Sequence, residues 1–454
     1  LPISQQYARF AHGLSYDAVP SEIMARGKLL MLDAIGIAFA SSEYEFARMA
    51  FDGIAQFGAG DSVVIGFGRT LPLRDAVLLN GMLVHGLDYD DTYLPGSVHM
   101  TASSVPCALG MSAHRRMSGR DFLTACVLGL ETSARLGQAG KGLFAKAGFH
   151  PTALCGAMSC ALVSARLMGL DEAAMRRAQG IALSMASGSM QPMLDGSWTK
   201  RIHPGWAAAA GISASGIASR GYTGPEDAYE SKFGFYNLFL GASAAQADPS
   251  LATDGLGERW EFARASIKLY PVCHQSHAFM NAAIRMAVEH DLQVKDIESV
   301  QTLVAEITRD LVCEPAAAKA SPSTSYMAQF SLPYAMAACL TRRRFGLEEI
   351  EEASYTESSL VELAGKVRYE MDPNPGFPKT RTGEVRVTLR NGQVLRARDE
   401  ILPDEPASAE EIVAKFMVNA TSKLSASRAT ELRDRILSIE READMRSFCS
   451  LLAA

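Results

Sequence analysis

From Ser21 to Ala40 the apolar residues Ile23, Leu30, Ala34 and Ile37 recur at steps of three or four residues or their sum, the period of a helix with one buried face. The same pattern predicts helices over Asp75 to Leu87, Gly119 to Leu136, Ala153 to Met168, Glu172 to Ser187 and Trp206 to Ser219. These segments are rich in Ala, Leu, Met and Gly, and their small residues suit close helix crossings. The pattern changes near Trp260 to Lys268, after a polar stretch running from Gln246 to Glu258. Val300 to Thr308 and Glu384 to Arg390 then alternate with period two, which predicts strands. Asn391-Gly392 followed by Gln393 to Arg398 predicts a hairpin whose two turn residues both take positive φ. Beyond Pro403 and Pro406, Ser408 with Glu411 three residues later reads as a capping box, and helical periodicity runs on to the end. The expected fold is therefore mainly α. A large all-helical domain is built from residues 1–265 and 402–454, and residues 266–401 form a smaller α+β insertion, with a cleft between the lobes as the expected ligand site.

The 454 residues, 48% of them hydrophobic, suffice for a large core and a second lobe. A net charge of -6 leaves no global basic field for nucleic acid or an anionic membrane, so neither is an expected partner. Ser159, Ser164 and Arg166 break the longest apolar stretch, Ala153 to Leu170, and the N-terminal residues lack a signal-peptide layout. The expectation is a cytoplasmic protein. Its eight cysteines are scattered without a CxxC pair, as buried reduced thiols would be.

Candidate chemistry is concentrated in four segments. In HGLDYDDT (85–92), His85, Asp88 and Thr92 share a face if the helix persists that far, whereas acids solvating a turn account for the same residues, since Pro95 and Gly96 follow; His99 lies in the loop beyond. In GFHPT (148–152), His150 precedes a helix opened by Pro151 or Thr152. Free backbone N–H groups there favour a neutral imidazole. In WTKRIHPG (198–205), Lys200, Arg201 and His203 are potentially cationic and suited to carboxylates. In KLYPVCHQSH (268–277), His274 and His277 do not complete a recognisable metal set, because neither an HExxH pair nor a cysteine quartet accompanies them. Without a P-loop, a strand-associated GxGxxG or a GxSxG elbow, no cofactor is expected and no metal is assigned.

Taken in order, HGLDYDDT, GFHPT, WTKRIHPGWAAAAG, GYTGPEDAYESKFGF, KLYPVCHQSH and AQFSLPYAMA resemble the MmgE/PrpD family over residues 20 to 340 or so. That family includes 2-methylcitrate dehydratase, cis-aconitate decarboxylase and iminodisuccinate epimerase. The resemblance implies an all-helical domain with an α+β lid, a homodimer, and a small polycarboxylate as substrate. It maps catalytic roles onto Asp88, Thr92, His99, His150, Lys268 and Tyr334, with Lys200 as a substrate-binding residue. His203, His85 and His277 are added as further substrate-binding candidates. Where dehydratase and decarboxylase members tend to carry an HPS triplet, this chain reads His99-Met100-Thr101.

The family reactions share a carbon next to a carboxylate, at which a proton or CO2 leaves and an enolate-like anion must be stabilised. Lys200, Lys268 and His203 are then expected to bind carboxylates and developing charge, and His150 to act as the principal acid or base. Epimerisation needs a second group on the opposite face, for which Tyr334 or Lys268 is the candidate. Dehydration needs an acid near Asp88, Thr92 and His99. The altered His99 segment and the short chain turn the expectation toward an epimerase of an iminodisuccinate-like substrate. A hydro-lyase or decarboxylase is the alternative, and a non-catalytic scaffold is an alternative of another class.

Overall fold

A computed structural model describes residues 1–377, 379–402 and 407–453. Pro403 and Pro406 lie outside the described residues. The chain folds into two compact units, Leu1–Ile267 with Ala407–Ala454, and Lys268–Pro406.

In the first unit the Pro151–Leu167 helix buries every residue except Arg166, as expected of a helix apolar on all sides. It packs against the helices Thr101–Arg115, Gly119–Ala139, Glu172–Leu183 and His203–Ala218. Glycine allows the closest crossings. A Cβ on Gly81, in the Leu73–His85 helix, would meet the Gly205 Cα at 2.5 Å, and one on Gly211 would meet the Cys160 carbonyl carbon at 2.5 Å. Those crossings bring three helix ends together: the C-terminus of 73–85 and the N-termini of 151–167 and 203–218. His85, His150 and His203 occupy these ends.

The returning C-terminal chain completes this unit. Ser408 and Glu411 form the capping box of the Ala409–Thr421 helix, which lies on the Ser21–Ser42 helix. Between the two helices, Lys415 Nζ is 2.7 Å from the buried Asp33 carboxylate and donates to the Tyr89 carbonyl at 2.8 Å. A cation from the far end of the sequence thus fixes the 86–100 loop. On the opposite side Arg135, fully buried, pairs with Glu131 and donates to the carbonyls of Asp254, Gly255 and Arg259. All eight cysteines are buried and none is in a disulfide among the described residues. No helix of the described residues is long and apolar enough to cross a membrane.

The second unit is a four-stranded sheet in the order Val367–Met371, Ile297–Val304, Arg381–Leu389, Val394–Ile401. The first pair is parallel and the other two are antiparallel. The His277–Glu289 helix packs on the last two strands, and the Leu332–Arg342 helix packs on 277–289. Two local expectations need correction. The strand read as far as Thr308 ends at Val304, because Ala305 turns the chain into a helical turn, Glu306–Thr308. The hairpin loop has three residues, since Leu389 N–H donates to the Gln393 carbonyl. Only Gly392 takes positive φ (86°), while Asn391 uses its side chain to accept from Gln393 N–H.

Candidate active site

The Leu73–His85 helix stops at His85, and Asp88 takes a positive φ of 50°. The helical face expected to carry His85, Asp88 and Thr92 together therefore does not exist. The loop supplies a different arrangement. Asp90, buried completely, reaches back so that its Oδ2 lies 2.7 Å from His85 Nδ1. Its Oδ1 lies 3.4 Å from His99 Nδ1, which also contacts the Asp91 carbonyl oxygen at 2.7 Å. Thr92 Oγ1 is 3.4 Å from the same ring nitrogen. The strand-like pairing of Thr92 with Ser266 holds this stretch in place. Asp91 anchors the next helix, accepting from the backbone N–H groups of Met100 and Thr101 and from the Thr101 hydroxyl. Burial, reinforced by the neighbouring charge of Asp90, pushes the Asp91 carboxyl up to about 7.

His150 stands at the N-cap of the 151–167 helix, with Pro151 opening the first turn. Its backbone N–H donates to the Gly188 carbonyl. Its Nδ1 is 3.2 Å from Nδ1 of His203, the first residue of the 203–218 helix. Burial, followed by the nearby His85 and Lys200, pushes His150 well below the usual imidazole range. The same causes push His203 down to about 4. Burial thus favours the neutral form of both rings at physiological pH, including His203, which its basic neighbours had marked as potentially cationic. Two neutral rings in Nδ1-to-Nδ1 contact can share one proton between those atoms. When His150 donates, its Nε2 carries a lone pair; when His203 donates, His150 Nε2 carries the proton.

His85 Nε2 and His150 Nε2 are both buried and have no hydrogen-bond partner. Their ring centroids lie 5.3 Å apart, with His99 at 4.8 Å from His85 and 6.1 Å from His150. Next to them Lys200 Nζ donates to Asp88 Oδ1 at 3.0 Å in a buried ion pair. The site thus presents two unengaged imidazole nitrogens and a charge pair, all buried. A proton can be removed or delivered there.

The ligand atoms of His85, His99 and His150 fall within 4.8 Å of one another, as do those of His85, Asp88 and Asp90, a spacing able to hold a metal ion. The sequence concealed the first group because its members are separated by 14 and 51 residues (99 - 85 and 150 - 99). Lys200, paired with Asp88, places its charge near both His150 and His203.

The remaining candidates belong to the second unit. Lys268 is buried at its start, and His277 opens the 277–289 helix with Nε2 3.4 Å from the Val272 carbonyl oxygen. The rings of His274 and His277 are 4.6 Å apart. The Tyr334 hydroxyl, fully buried, donates to the Glu349 carbonyl, and burial holds it far above the ordinary phenol range. Its proton is committed to the packing of that unit. Sequence reasoning missed Asp90, whose signal was its position five residues after His85, where a turn rather than a helix brings the two together.

Comparison with known proteins supplies the remaining context. The MmgE/PrpD N-terminal domain matches residues 5–248 and the MmgE/PrpD C-terminal domain matches residues 270–441. Cis-aconitate decarboxylase of Aspergillus terreus is 25% identical over 99% of this chain and 96% of its own. Cis-aconitate decarboxylase of Homo sapiens is 26% identical over 93% of this chain and 89% of its own. That of Mus musculus is 25% identical over 99% and 92%. With the family's two domains matched in order along the chain, this protein belongs to the MmgE/PrpD family.

Proposed function

We propose that the protein is an enzyme that moves a proton at the carbon next to a carboxylate of a small di- or tricarboxylate, with no cofactor. The observation that carries this reading is the pair of buried, unpartnered Nε2 atoms on His85 and His150 beside the Lys200–Asp88 pair. His150 is the principal acid or base, switched between the two roles by the direction of its hydrogen bond to His203. Asp90 is a positioning residue, fixing the His85 tautomer so that its Nε2 is the basic nitrogen. Lys200 stabilises negative charge that develops on the substrate, an interaction strengthened by burial.

Among the reactions of this class, the named relatives favour a lyase of the decarboxylase type. A tricarboxylate such as cis-aconitate would lose CO2, leave the bonding electron pair on carbon as an enolate-like anion, and take a proton there from an imidazolium or imidazole N–H. Epimerisation of an iminodisuccinate-like dicarboxylate is the second reading, favoured by two neighbouring imidazoles whose Nε2 atoms have no partner. Proton NMR in D2O, with cis-aconitate, 2-methylcitrate and iminodisuccinate stereoisomers supplied separately, distinguishes them. Release of CO2 supports the first, and inversion with deuterium at the α-carbon supports the second. Loss of water would assign a dehydratase. Silence with all of them would contradict the proposed substrate class.

A further inference from the structure

Among the described residues, the second unit contains a cationic side chain with no ion-pair partner. Arg381 opens the 381–389 strand, and its Nε is closed off from solvent without a hydrogen-bond partner. Among the described residues its guanidinium makes no ion pair. Three carboxylates of the same unit are engaged elsewhere. Glu384 is held by Arg386, Arg396 and Arg398, Asp372 by Arg398, and Asp399 by Arg285 and Asn281. Burial pushes Arg381 down to about 10, which still leaves it charged at neutral pH.

Strand alternation puts Arg381 on the face of the sheet shared by Gly383. Gly383 lies so close to the 277–289 helix that a Cβ there would meet Phe279 N at 2.4 Å and the Ala278 carbonyl carbon at 2.7 Å. Two residues earlier, Arg381 therefore faces the N-terminal end of that helix, where its charge interacts with Cys273. This helix is 13 residues long and has no side-chain cap. Its N-cap, Ser276, is only 1% exposed, and the Ser276 Oγ has no partner. A half-buried guanidinium with a shielded Nε, a buried hydroxyl and the positive end of a helix dipole are all donors, and among the described residues no acceptor meets the Nε or the Oγ.

We propose that this corner of the second unit binds an oxyanion, the carboxylate or phosphate group of a small ligand, with Arg381 as the main contact and Ser276 as a second donor. The arrangement matches the forked geometry with which arginine holds planar carboxylates. The site stands whether or not the chemistry proposed for the first unit is right.

Calorimetric titration of the full chain with tricarballylate, an unreactive tricarboxylate, and with inorganic phosphate tests it. Wild type should bind at least one of them. Arg381→Met should weaken that binding at least about tenfold, the loss expected for one charge-assisted contact. Arg116→Met, altered at an exposed arginine of the first unit, should bind as wild type does. Failure of wild type to bind either anion, undiminished binding by Arg381→Met, or an equal loss in Arg116→Met would overturn the proposal. Folding is checked separately. In anion-free buffer Arg381→Met should melt at or above the wild-type temperature, because it removes an uncompensated charge; a clearly lower melting point would mean that the guanidinium has an internal structural partner and would also overturn it. With binding established, the two anions name the source: tighter binding of tricarballylate makes it a carboxylate, and tighter binding of phosphate makes it a phosphate group.

Discussion

His150 and His203 face each other through their Nδ1 atoms at 3.2 Å, so one proton between the two rings decides whether His150 Nε2 gives or takes a proton. The relationship depends on both rings being neutral, which burial ensures. His203→Gln leaves a side chain able to donate from its amide but unable to relay a proton. We expect kcat to fall by a factor of about 10 to 100 with KM little changed, as measured by steady-state kinetics on the substrate identified by NMR.

The same neutrality has a consequence for acid stability. His203 titrates at about 4 in the folded chain and near 6.5 when unfolded, so the unfolded chain binds the extra proton between those values. The stability that follows from this is fully present above pH 6.5 and is lost as pH falls toward 4. Asp91, raised to about 7, acts in the opposite sense across an overlapping window. Comparison with His203→Gln isolates the histidine: the melting temperature of wild type relative to the variant should decline between pH 6.5 and 4. A constant difference would contradict the assignment.

Asp90 is predicted to act through His85. Asp90→Asn keeps the size of the side chain but removes the carboxylate that fixes the ring, and kcat should drop about 100-fold while far-ultraviolet circular dichroism is preserved. Asp90→Glu should recover part of the activity if positioning is the role; an inert Asp90→Asn substitution would remove the dyad from the mechanism.

Lys200 and Asp88 form a pair whose members are buried together. Lys200→Met strands the Asp88 carboxylate and should cost about 3 kcal/mol of stability in denaturant titrations. Adding Asp88→Asn should restore most of the stability but none of the activity. That pattern separates the structural consequence of the broken pair from the catalytic loss of the cation.

Much of the fold is legible in the sequence because local rules agree with it. The Ser408 and Glu411 capping box forms as its spacing predicts, and the 151–167 helix is where apolar residues run without a polar face. The Val367–Met371 strand was missed although Val367, Tyr369 and Met371 alternate with Arg368 and Glu370; it is short, pairs in parallel at the sheet edge and buries only Val367 well. The site was legible as a set of segments and not as an arrangement. His85, His99, His150, Lys200 and Asp88 do meet, yet the sequence cannot show that the helix ends at His85 or that the turn returns Asp90 to it. Nor can it show the charge state of His203, which is set by burial and by neighbours distant in the chain.

The measurement that tests the central claim most directly is solvent-deuterium incorporation at the substrate's α-carbon by wild type, His150→Ala and His85→Ala, followed by proton NMR at equal enzyme concentration. The account predicts incorporation by wild type and a loss of roughly 100-fold or more in His150→Ala, with a substantial loss in His85→Ala. Undiminished incorporation by folded His150→Ala would contradict it, because the proton would then be moving through some other group.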